Sequence, residues 1–142
     1  MFITDIVSHI NESISDVREV SCILEKCMQP DGFCVYNYDI SMSIKKYKMT
    51  EIYLTSLANF IENCGMDVSQ ILEFIERITE LTQYELISSI GWDEHVSSFT
   101  GNIPKHEVLD LRISQLISIK EYIELKLEQE KLAKQNTAPN GN

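Results

Sequence analysis

The residues best suited to chemistry in this chain lie within one short stretch. His95 follows Asp93 and Glu94, and Ser97 and Ser98 come just after it. A nucleophile, a base and an orienting carboxylate are all represented. Such a triad is assembled in three dimensions, however, and not along the sequence. Trp92 to Ile103 reads as a polar loop, so these groups read as solvated side chains rather than a catalytic site. His9 and His106 are isolated histidines near helix ends. No His-Glu-x-x-His, phosphate-binding glycine loop or dinucleotide fingerprint occurs. Glu76 and Glu80 lie one helical turn apart, but no second segment offers a matching ligand set. The sequence therefore predicts no enzyme, no cofactor and no catalytic residues.

Metal chemistry has no better footing. Cys22, Cys27, Cys34 and Cys64 contain no Cys-x-x-Cys pair, and their spacings match no common zinc pattern. The N-terminus has neither a basic segment nor an apolar run of the kind that marks a secretory leader. The four thiols are thus expected to be reduced, mostly buried and unmetallated, in a cytoplasmic protein. No run of apolar residues is long enough to span a membrane.

Charge narrows the range of partners. The 142 residues carry a net charge of -10. Such a field repels nucleic-acid phosphates and anionic lipid surfaces. Lys45-Lys46-Tyr47-Lys48 is the one basic cluster, and it neutralises too little phosphate to hold a duplex. An acidic DNA mimic is the opposite idea. Against it, Arg77, Arg112, Lys120, Lys126, Lys131 and Lys134 interrupt the carboxylates, in pairs such as Glu73–Arg77 that suit an ordinary helix surface. The charge suits a basic protein partner, or simply solubility, better than either.

The elements around these residues are helical. Ile3, Val7, Ile10, Ile14, Val17, Ser21, Leu24 and Met28 alternate four and three apart and predict an amphipathic helix from about Thr4 to Met28. Pro30-Asp31-Gly32 ends it. Phe33 to Tyr38 reads as an extended connector. Asp39 can cap a second helix bearing Ile40, Ile44 and Tyr47. A phase shift near Thr50 leads into Ile52, Tyr53, Leu57, Phe60, Ile61 and Cys64, so this stretch is one kinked helix or two. Gly65 closes it. Asp67 and Gln70 form a capping box, with Met66 and Ile71 as a hydrophobic staple. The helix after them carries Val68, Ile71, Leu72, Phe74, Ile75, Ile78 and Leu81, is broadly apolar, and is expected to be central, ending at Gly91. Pro104 starts a last helix with Leu109, Ile113, Leu116, Ile123 and Leu127 in heptad register.

The segment from Tyr53 to Ile87 resembles the helical core of the late-transcription coactivators of tailed phages. The residues that carry the likeness are Tyr53-Leu54, Phe60-Ile61-Glu62, Met66, Gln70, Phe74-Ile75, Ile78, Glu80, Gln83, Glu85 and Ile87. Thr55-Ser56 stand where that family has Glu-Ala. The chain ends Ala138-Pro139-Asn140-Gly141-Asn142 and lacks the family's clamp-binding C-terminus. The resemblance implies contact with the flap of RNA polymerase through the helix pair, in a host cytoplasm, without clamp contact.

Taken together, the sequence predicts an all-α protein. It is a mostly antiparallel bundle of four to five helices, with the extended connector, a single domain over 1–134 and a flexible polar tail over 135–142. Its expected role is non-enzymatic: helical faces presented to a protein partner or to a second copy. The expected contact residues are Tyr53, Phe60, Met66, Gln70 and Phe74, large side chains around the Gly65 corner. The long seams of the first and last helices are expected to offer further contact surface.

Overall fold

The computed structural model describes residues 2–28, 35–100 and 105–137, and the side chains of 2–28, 38–90 and 105–136. It contains four helices: α1 (Ile3–Lys26), α2 (Val35–Asn63), α3 (Val68–Thr100) and α4 (Lys105–Thr137). Among the described residues there is no strand. The protein is an all-α helical bundle.

α1 follows its apolar period. Ile10, Ile14, Val17 and Ser21 are buried, and Ile6 joins them. The carboxylate of Asp5 accepts a hydrogen bond from the Phe2 backbone N–H at 2.9 Å and closes the first turn. The acidic face of Glu12, Asp16 and Glu19 is exposed.

α2 corrects two expectations and decides between two alternatives, since it is one helix. Val35 to Tyr38 belong to its first turn, not to an extended connector; Phe33 and Cys34 lie outside the described residues. A lone strand would leave its backbone N–H and C=O groups without partners, whereas a helix satisfies them internally. Asp39 therefore sits inside the helix and does not cap it. Nor is the helix split near Thr50. Thr50 is itself fully buried and its hydroxyl donates to the Lys46 carbonyl at 2.9 Å. A polar residue satisfied by its own helix fills the core position, so Ile40, Thr50, Leu54, Leu57 and Ile61 make one uninterrupted inner face. Ile52 and Phe60 consequently point outward, 67% and 47% exposed.

The α2–α3 corner forms as its residues require. Gly65 has φ +74°, the left-handed conformation that ends a helix without a Cβ penalty. The Cys64 thiol donates to the Ile61 carbonyl at 3.3 Å and accepts from the Met66 N–H at 3.4 Å. The capping box is reciprocal. The Gln70 N–H donates to Asp67 Oδ1 at 2.8 Å, and the Asp67 N–H donates to Gln70 Oε1 at 3.0 Å.

α3 does not stop at Gly91, and Trp92 to Thr100 are helical rather than a loop; residues 101–104, Pro104 among them, are not described. A single interior glycine costs a helix only about 1 kcal/mol, too little to end one without a second signal. α4 likewise runs to Thr137, past the expected start of the tail.

The central helix is α4, not α3. α1 pairs with α2 and α3 with α4, while α4 alone also packs substantially on both helices of the first hairpin. The core joins Ile6, Ile10, Ile14 and Val17 of α1, Leu54, Leu57, Ala58 and Ile61 of α2, and Leu116, Ile119 and Ile123 of α4. Among the described residues, α3 adds the fully buried Ile71 and Ile75, with Val68, Leu72, Phe74 and Ile78 half-buried against the cluster. Higher up, α3 buries Thr79, Thr82 and Ser89 instead. The Thr79 and Thr82 hydroxyls donate to the Ile75 and Ile78 carbonyls, each at 2.6 Å, so they are buried without an unmet hydrogen bond.

Candidate interaction surface

Four of the five expected contact residues meet at the Gly65 corner. Phe60 at the end of α2 and Phe74 on α3 pack ring to ring, 5.0 Å between centroids and tilted by 34°. That is a favourable aromatic geometry. Phe74 also lines an open cleft of about 280 Å³ with Met66, Gln70, Glu73 and Arg77. Gln70 is exposed but engaged in the capping box, and Met66 is half-buried against the core. The cleft is thus walled by an aromatic ring and a thioether, with an ion pair of 3.7 Å between Arg77 and Glu73 at its rim.

Tyr53 is placed differently. It is half-buried, and the Arg112 guanidinium of α4 lies over its ring at 4.1 Å. Burial pushes its phenol pKa up, and the nearby Arg112 charge opposes this. The Arg112 Nε is buried without a hydrogen-bond partner, so the ring face is what compensates it. Tyr53 therefore ties α2 to α4.

The other candidate groups are separated. Tyr47, between the lysines, packs half-buried on the core. Lys48 pairs with Glu25 of α1 at 3.0 Å, while the Lys46 ammonium lies over the Tyr47 ring at 5.4 Å. The basic cluster is spread around the helix rather than forming one patch. His9 stacks on Tyr122 of α4, 4.1 Å between centroids and 9° apart. Burial lowers the His9 pKa, and Glu12 acts against that shift. The side chains of Asp93, Glu94 and His95 lie outside those described, though the segment bearing them is helical. Among the described residues, no group of three or more His, Cys, Asp or Glu is placed to hold a metal ion.

Two of the described thiols depart from the expectation of burial. Cys22 and Cys27 are exposed and only Cys64 is half-buried. The seams of α1 and α4 supply much of the core, while Met28 and Ile117 stay 39% and 36% exposed. Apolar side chains face solvent on all four helices: Ile23 on α1, Leu125 and Leu132 on α4, Met49 and Ile52 on α2, and Leu81, Tyr84 and Ile87 on α3. Spacing held a partial signal for the latter. Leu81, Tyr84 and Ile87 recur every third residue, out of phase with Ile71, Ile75 and Ile78.

No family model, curated protein or solved structure matches this chain. Among the described residues, no helix is long and apolar enough to cross a membrane.

Proposed function

We propose that this protein is a non-enzymatic interaction protein, acting in the cytoplasm by presenting helical faces to a protein partner. The observation that carries the reading is the Phe60–Phe74 pair. Two large aromatic rings pack at a tilt across a capped corner, with Phe60 47% exposed. Aromatic side chains held rigidly at a surface are effective anchors, because little side-chain entropy is lost on binding. The contact residues are Phe60, Phe74, Met66 and Gln70, with Tyr53 anchoring α2 to α4.

The test compares Phe60→Ser with the unsubstituted protein as bait in extract of its native cells. A protein retained by the original chain and lost from the variant, with an unchanged melting temperature, supports the reading. Retention by both baits locates binding elsewhere. A narrower version follows from the resemblance between Tyr53 and Ile87. The α2–α3 corner would contact RNA polymerase as a transcription coactivator does. Purified polymerase should then bind the chain after deletion of 135–142, and absence of binding removes this version alone.

A further inference from the structure

Beyond Ile78, α3 exposes large apolar side chains on its outward side while it buries hydroxyls on its inward side. Leu81, Tyr84 and Ile87 are 63%, 74% and 74% exposed, and they climb one side of the helix at three-residue steps. The side turned to α4 buries Thr79, Thr82 and Ser89. Scattered exposed leucines are ordinary, but a contiguous row of three large apolar side chains beside buried hydroxyls is not. Folding alone gains nothing from this arrangement.

The charges along the same helix select what covers the row. From Val68 to Ile90 the acids are Glu73, Glu76, Glu80 and Glu85, and the only base is Arg77. Arg77 pairs with Glu73 at 3.7 Å. Lys105 and Lys120 of α4 reach Glu85 at 2.8 Å and Glu76 at 3.9 Å. Glu80, beside Leu81, has no ion-pair partner among the described residues. A second copy would set one acidic α3 against another, and like charges facing across an apolar contact oppose docking. A basic amphipathic helix meets both demands. Its apolar stripe covers Leu81, Tyr84 and Ile87, and a flanking lysine or arginine faces Glu80 within a chain of net charge -10.

We infer that the outward face of α3 is a docking surface for a basic amphipathic helix of a partner protein. This rests on the interaction reading and gives it a partner chemistry. The surface extends that of Phe74, since Leu81 follows it two turns up the same side of α3.

The experiment uses the full chain and three synthetic peptide probes. One is an amphipathic leucine–lysine helix of about three heptads, long enough to hold a helical face on binding. The second has the same composition in scrambled order, and the third replaces lysine by glutamate. Binding is followed by fluorescence anisotropy near physiological salt. The amphipathic lysine probe should bind at least about tenfold more tightly than either control, a difference of roughly 1.4 kcal/mol. The double variant Tyr84→Ser, Ile87→Ser should weaken it about tenfold or more, as expected for the loss of two apolar anchors. Ile52→Ser on α2 should leave binding unchanged. Circular dichroism and melting temperature guard against misfolding, and Glu80→Gln offers a milder variant that should also weaken binding.

Equal binding of the scrambled probe, or no loss in the double variant, overturns the inference. So does self-association of the chain that the double variant abolishes, because the occupant is then a second copy. In each case a partner lost through Phe60→Ser would leave the broader interaction reading standing.

Discussion

A single side chain in this bundle can be read as core or contact from its exposure, and the two roles differ in what substitution costs. Ile71 is fully buried among residues of the central cluster. Ile71→Ala should lower stability by about 2–5 kcal/mol, the transfer term plus the cavity it leaves. Phe60→Ala should cost far less, because nearly half of its ring already faces water. Denaturant unfolding of both variants checks this, and equal losses would return Phe60 to the core. His9 gives a pH dependence. Its native pKa lies below the ordinary 6.5, with burial against Tyr122 the leading cause. A histidine held neutral in the fold stabilises it above the unfolded pKa, and that contribution fades as pH falls through 6.5 toward the lowered native value. Glu12 opposes the lowering. Stability measured between about pH 7.5 and 5 should therefore fall more steeply for the native chain than for His9→Phe, which keeps the stacked ring but cannot take a proton.

At the scale of elements, the α2–α3 corner is fixed by local hydrogen bonds that substitution can remove one at a time. Asp67→Ala deletes the acceptor for the Gln70 N–H and should cost about 1 kcal/mol. Gly65→Ala meets no neighbouring atom within 4 Å, so crowding plays no part in its effect. The positive φ alone should make it destabilising, by about 1 kcal/mol. Thermal melts of the two variants check both figures, and a neutral Gly65→Ala would mean that the corner relaxes. Cys64→Ala removes a thiol bonded on both sides of the turn, whereas Cys22→Ala and Cys27→Ala alter exposed positions and should change stability by less than about 0.5 kcal/mol. The corner was legible in the sequence because its signals are local. Gly65, Asp67 and Gln70 act within a few residues of one another. The inner face of α2 was not legible. Thr50 reads as polar, and only a view of its hydroxyl bonded to the Lys46 carbonyl reveals a core position.

For the whole molecule, the decisive feature is the central place of α4. Leu116→Ala should loosen contacts to both α1 and α2 and cost about 2–5 kcal/mol, while Tyr84→Ser on the open side of α3 should stay within about 0.5 kcal/mol. Hydrogen exchange by residue gives a second reading of the same hierarchy. Amides around Ile119 and Ile123 should be protected to near the global unfolding energy, and those of the upper half of α3 should exchange through smaller openings.

The sequence by itself determined that the chain is helical, where α1 begins and turns its buried side, and how α2 passes into α3. Each of these is a short-range matter of apolar period, backbone satisfaction and capping. Only the tertiary structure decided which helix is central. Val68, Leu72, Ile75 and Ile78 make α3 look like the most buried element, yet periodicity counts how much apolar surface a helix has, not which neighbour covers it. α4 wins that place because it packs on all three other helices and buries Leu116, Ile119 and Ile123 in the cluster they share. The candidate contact surface was divided in the same way. Phe60, Met66, Gln70 and Phe74 lie close in sequence around one turn, so their meeting could be foreseen. Arg112 reaches Tyr53 from 59 positions further along the chain and takes it out of the exposed set, and no local pattern encodes that contact.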